Sequence, residues 1–98
     1  RFNSINTEAC EKYALLAPFI FKDIKLNTNT QIICNEFIDR LENLSSLLKI
    51  PSKLRDLDIP KEACVKMAKE AMKQTRLLVN NPREVTEEDA FNIYNAAW

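Results

Sequence analysis

Histidine and glycine are both absent from this 98-residue chain. Without histidine there is no imidazole to ligate a metal or to act as a general base. Average glycine usage near 7 % would put about seven in a chain of this length. Their absence excludes a Walker A loop, a dinucleotide fingerprint and a glycine-built anion nest. The segment therefore cannot carry common hydrolytic, metal or cofactor chemistry alone. An excess of charge is lacking too, because 14 Lys and Arg balance 14 Asp and Glu. That removes the global electrostatic reason to expect nucleic acid or an anionic membrane as partner. Long hydrophobic runs are missing as well. The stretch around residues 14–20 contains Pro18 and stops at Lys22, far short of the roughly 18 apolar residues of a membrane span. No signal peptide is visible.

The three cysteines, Cys10, Cys34 and Cys64, are dispersed and form no CxxC pair. An odd, scattered set reads as the reduced thiols of a cytoplasmic protein. With no histidine to activate them, they read as small core hydrophobes. A chain that opens on Arg1 without an initiator methionine is expected to be cut from something longer.

What is present is a globular composition, 46 % apolar and 29 % charged, at the length of a single domain. Apolar periodicity predicts an all-α fold of four main helices over residues 1–98. The first covers residues 7–19, with Thr7 as cap, Pro18 weakening its last turn, and Ala9, Tyr13, Leu16, Ala17 and Ile20 on one stripe. The second is opened by a Thr28–Gln31 capping box and runs to about Lys49. Its apolar row is Ile33, Phe37, Leu41, Leu44 and Leu48, flanked by Ile38 and Leu47. Pro51 ends it, and Ser52 is placed to cap a short turn carrying Leu54 and Leu57.

Pro60 opens the third helix, whose stripe is Cys64, Met67, Ala68, Ala71, Met72 and Thr75. Asn80-Asn81-Pro82 breaks the chain, with asparagine placed to supply a left-handed residue. Thr86 caps the last helix, Glu87, Glu88 and Asp89 fill its first turn, and Phe91, Tyr94 and Ala97 form its buried stripe, joined by Ile93 and Trp98.

Three groups invite a functional reading. Lys66, Lys69, Lys73 and Arg76 share one face of the third helix, but Glu62 and Glu70 interrupt it and no aromatics interleave, so it reads as a solvated face. Glu87, Glu88 and Asp89 occupy consecutive helical positions, which suits a helix dipole rather than a metal. Asn81-Pro82-Arg83 is a rigid corner suited to fixing a loop over a pocket, although a plain turn explains it too.

The tail Asn81-Pro82-Arg83-Glu84-Val85-Thr86-Glu87-Glu88-Asp89, followed by Ile93-Tyr94-Asn95-Ala96-Ala97-Trp98, resembles the C-terminus of the iron-dependent alcohol dehydrogenases. The nearest branch is that of the lactaldehyde reductases and propanediol dehydrogenases. Leu48-Lys49-Ile50-Pro51 with Leu54, Leu57 and Ile59 is similar to a linker of that family. Arg1-Phe2-Asn3 and Glu11-Lys12-Tyr13-Ala14 resemble the segment after its last metal histidine.

The resemblance implies a parent enzyme with an α/β domain for NAD(P) and a helical domain holding a divalent metal, usually iron, on one Asp and three His. All of those positions would lie upstream of Arg1, so no catalytic, metal or cofactor residue carries over. In such an enzyme the metal polarises the oxygen of a small alcohol or aldehyde while hydride passes to or from the nicotinamide. This segment would complete the helical domain and wall one side of the cleft, in contact with the upstream part of the same enzyme. Oligomeric state stays open, with the homodimer common among relatives.

Two departures stand out. Lys49 and Asp58 occupy positions where relatives carry glycine, so the bends there must use other residues. Leu77, Leu78 and Val79 precede Asn81 where relatives show small residues or glycine, so Leu77, Leu78 and Asn81 are the candidate cleft wall, narrowed or greased by the leucines. The alternative reading is a stand-alone helical interaction module without catalysis, which composition alone fits as well.

Overall fold

The computed structural model describes residues 1–25 and 29–98. Among them every regular element is helical, as expected. The chain divides into two compact units, Arg1–Leu48 and Lys49–Trp98.

The first unit is a pair of packed helices, α1 (Thr7–Ile20) and α2 (Thr30–Leu47), preceded by a 3-10 turn at Asn3–Ile5. The cap of α1 is Asn6 rather than Thr7. Its backbone is extended and its side chain accepts the Ala9 N–H at 3.0 Å, satisfying a donor that the helix itself leaves unpaired. The helix runs on past Pro18, and the Phe21 N–H closes it on the Ala17 carbonyl at 2.9 Å.

The buried face of α1 is Ala9, Cys10, Ala14 and Ala17, while Leu16 and Ile20 of the expected stripe are exposed. Both sets fit a helical period, and size decides between them. Alanine and cysteine let two helix axes come close, whereas leucine and isoleucine would hold them apart.

Asn29 caps α2 by accepting the Gln31 N–H at 3.0 Å. The expected Thr28–Gln31 box rests on Thr28, which lies outside the described residues. Ile33, Cys34, Phe37 and Ile38 are buried. Phe37 meets Tyr13 at 6.3 Å and Phe21 edge-on at 5.9 Å between ring centroids, pairs worth roughly 0.5–1.5 kcal/mol beyond area burial. The rest of the expected row does not reach a core. Leu41 and Leu44 are exposed, Leu48 is 61 % exposed and Leu47 is 80 % exposed. Among the described residues, Tyr13 of α1 and Phe21 and Ile24 just after it pack against Ile33 and Phe37 in the first half of α2.

The second unit begins with Lys49 at φ 55° and a 3-10 turn at Leu54–Leu57, closed by Asp58 at φ 57°. The turn carries the two leucines as expected, but its cap position is Lys53, without a side-chain bond, so Ser52 is not the cap. The Asp58 N–H bonds the Arg55 carbonyl at 3.2 Å and the Ile59 N–H bonds Leu54 at 3.3 Å. That is the pairing with which a helix closes on a left-handed residue. Lys49 and Asp58 thus take the left-handed conformation that glycine adopts most readily. Asn80 and Asn81 do not, contrary to expectation, since the left-handed residues among those described are Lys49 and Asp58.

Helix α3 (Ala63–Ala71) starts where the Pro60 carbonyl accepts the Ala63 N–H. It stops earlier than its periodicity predicts. Gln74 leaves the helical region at ψ 53°, and a separate short helix, α4 (Thr75–Leu78), follows. Helix α5 (Glu87–Ala97) opens on the expected Thr86 cap. The Thr86 hydroxyl accepts the Asp89 N–H at 3.1 Å and the Asp89 carboxylate accepts the Thr86 N–H at 3.0 Å, a reciprocal capping box. Helices α3 and α5 pack together through the fully buried Cys64, Ala68 and Ala90. Phe91, Tyr94, Ala97 and Trp98 are half-buried, and Ile93 is exposed.

Candidate functional site

The break at Gln74 shapes the site. Its carbonyl accepts the N–H groups of Leu77 at 2.9 Å and Leu78 at 3.1 Å, which starts α4. The Asn80 amide then donates to the Arg76 carbonyl at 2.9 Å, and the Asn81 N–H bonds the Leu78 carbonyl at 3.0 Å. The Asn81 side-chain amide also donates to the Arg83 carbonyl, bracing the turn at Pro82. The expected corner is therefore present, held by an asparagine that spans it.

All three predicted wall residues come together. Leu77, Leu78 and Asn81 line one pocket of about 280 Å³ with Val85 from the following connection and Ile93 and Tyr94 from α5. Ala71 and Ala90 complete the lining. Their small side chains leave the space that bulkier residues would fill. Leu77 also keeps a large outward surface, being 62 % exposed. Sequence reasoning placed Tyr94 and Ile93 in a buried stripe of α5 and missed them as pocket residues. Nothing in a helical period marks which members of a stripe meet a void.

Beside the pocket the charges are turned on one another. The Arg83 guanidinium stands 3.7 Å from the Asp89 carboxylate. The Thr86 backbone N–H and hydroxyl, and then Arg83, hold the Asp89 carboxyl below its ordinary range. The acidic turn of α5 is thereby explained by capping. The basic side chains of α3 and its neighbour, Lys66, Lys69, Lys73 and Arg76, are exposed, and Lys73 pairs with Glu70 at 2.7 Å.

Cys10, Cys34 and Cys64 are buried free thiols, as their positions predicted. Burial, and then the adjacent Cys10, push the Cys34 thiol up to about 11. A thiol so protonated is a poor nucleophile. No group of three His, Cys, Asp or Glu is gathered for a metal among the described residues. The donor set of this segment, with no imidazole at all, does not fit an iron held by these residues alone. None of its described helices is long and apolar enough to cross a membrane.

No curated protein and no solved structure matches the chain. A family does match, and over residues 1–98: the Fe-containing alcohol dehydrogenase family, C-terminal. The match spans the whole chain and its described elements are helical, and the chain belongs to the Fe-containing alcohol dehydrogenase family, C-terminal.

Proposed function

We propose that this segment completes the helical domain of a cytoplasmic, iron-dependent and NAD(P)-linked alcohol dehydrogenase that interconverts small alcohols and aldehydes. The resemblance of its tail from Asn81 to Asp89 favours the lactaldehyde reductase and propanediol dehydrogenase branch as the nearest one. Leu77, Leu78 and Asn81 wall one side of the substrate cleft, while metal and nucleotide are held by the upstream part of the same enzyme.

The observation that carries this reading is the convergence of those three residues on one pocket in a chain matched to the family along its whole length. The distribution of bulk supports the upstream contact. Among the described residues, eight of the twelve buried core residues are alanine or cysteine, whereas Leu15, Phe19, Leu47 and Val79 are exposed. A groove on the first unit, lined by Leu15, Pro18, Phe19 and Ile33, is apolar in the same way. Apolar surface of this kind is normally covered.

The test has two parts. The intact mass of the protein in its source cells should be several times 11.4 kDa, and that protein should oxidise small alcohols in a metal-dependent reaction. In it, Leu77→Ala and Leu78→Ala should shift kcat/KM between alcohols by about tenfold or more, the usual worth of a methylene in a hydrophobic pocket. Unchanged ratios in both variants would remove the cleft-wall role.

A further inference from the structure

Two of the three cysteines share one part of the core. Cys10 of α1 and Cys34 of α2 lie in a single buried cluster with Ile38, against the ring of Tyr13. They meet because the buried face of α1 is built from alanine and cysteine, which lets the two helices come close. The two thiols differ in their surroundings. Cys34 is fully enclosed, and burial and then the neighbouring Cys10 hold its proton. Cys10 lies nearer the surface, at 3 % exposure, and its thiol donates at 3.4 Å to the Oε1 of Gln31, an exposed residue. Cys64 belongs to the second unit.

We infer that Cys10 and Cys34 are a modification site for hydroperoxides, closing to a disulfide that joins α1 to α2. Cys10, on the outer side, is oxidised first, and Cys34 resolves it. The Cys10 sulfur attacks one oxygen of hydrogen peroxide, the O–O bond breaks, and Cys10 becomes a sulfenic acid as water leaves. The Cys34 sulfur then attacks that of Cys10. The S–S bond forms, the S–O bond breaks, and the departing hydroxide takes the Cys34 proton and leaves as a second water. Two thiols have lost two electrons and two hydrogens, and one peroxide has become two waters. Cys34 is a weak nucleophile in general, but its target is held against it, so proximity replaces acidity. In a reducing compartment such a bond is transient, because thiol exchange opens it again.

The experiment treats the complete native enzyme, reduced and then freed of reductant, with hydrogen peroxide at neutral pH. Free thiols are blocked in denaturant and the peptides are mapped by mass. The expected product joins the peptide of Cys10 to that of Cys34, two hydrogens lighter than the reduced pair, and a dithiol reductant separates them. Cys64 stays free. In Cys34→Ala, Cys10 should stop at the sulfenic acid and be trapped by dimedone. In Cys10→Ala, the Cys34 thiol should stay unmodified. In the wild-type protein the link should form faster than a bulky alkylating reagent reaches native Cys34.

The wild-type map decides the matter even where a variant does not fold. Cys10 and Cys34 that remain thiols, in peroxide that oxidises them in denaturant, overturn the inference. So does a link from either of them to Cys64 instead. A link that forms no faster than Cys34 opens to alkylation belongs to the unfolded chain, and overturns it as well.

Discussion

The indole N–H of Trp98 donates to the backbone carbonyl of Ile59 at 2.9 Å, which ties the end of α5 to the linker that enters α3. The ring is flanked by two cations, with the Lys61 ammonium 5.2 Å and the Arg55 guanidinium 5.7 Å from its centroid. Lys53 completes the clasp by donating to the Ala96 carbonyl at 3.0 Å. A cation there meets both an unpaired carbonyl and the negative end of the helix dipole.

Replacing Trp98 by Phe keeps an aromatic face for the cations and removes the donor together with part of the ring. The cost should be about 1 kcal/mol, the usual worth of one hydrogen bond whose acceptor is left without it. Trp98→Ala loses ring, cation contacts and bond together and should cost about 2 kcal/mol or more, because the side chain is half-buried rather than fully so. The denaturant midpoint of the complete protein measures both. A Trp98→Phe variant as stable as the parent would mean that neither the hydrogen bond nor the lost part of the ring contributes.

The sequence made the helices legible but not their facing. Thr86 could be read as a cap because the signal is local and chemical, and the structure forms it as a reciprocal box with Asp89. The stripe of α1 could not be settled in the same way. Residues 10, 14 and 17 share a face as well as 13, 16, 17 and 20 do, and only the partner helix decides which face is buried. The leucines of α2 read as core because an apolar row looks the same whether or not its partner lies within these residues. The end of α3 was invisible for a different reason. Residues 72–74 contain no glycine, proline or capping side chain, and the apolar period continues across the break into Thr75. The candidate wall at Leu77, Leu78 and Asn81 came from family resemblance, whereas the contribution of Tyr94 needed the packed α5.

Lys49 and Asp58 sit in the left-handed region, at φ 55° and 57°, where a Cβ crowds the neighbouring carbonyl. Such a position costs roughly 1 kcal/mol for most residues and less for aspartate, which bonds locally. Lys49→Gly and Asp58→Gly should each raise stability, by about 0.5–1 kcal/mol at Lys49 and by less at Asp58. A β-branched residue tests the same point from the other side. Asp58→Val should destabilise by at least about 1 kcal/mol, since it also opposes the closing bonds of Asp58 and Ile59. Thermal unfolding of the three variants beside the parent gives the order. A destabilising Lys49→Gly would show that the lysine side chain contributes more there than its backbone strain costs.

Cys34 gives the protein an alkaline limit. The side chain is fully buried beside Cys10 and Ile38. Desolvation first, and the neighbouring thiol second, raise it from an ordinary 9.0 to about 11. An unfolded chain therefore releases this proton near pH 9, while the native chain holds it to about pH 11. Between those values the native state binds more protons than the unfolded one, so stability falls as pH rises. Below pH 9 both states keep the proton and the group makes no difference. Unfolding measured from pH 8 to pH 11 should show this decline in the parent and a shallower one in Cys34→Ala, whose small cavity lowers stability equally at every pH. Thiol labelling followed by peptide mass mapping supplies the second readout. Native Cys34 should stay unmodified at neutral pH and react fully once the protein is unfolded. Equal pH slopes in parent and variant, or rapid labelling of native Cys34, would mean that the thiol is not held protonated by burial.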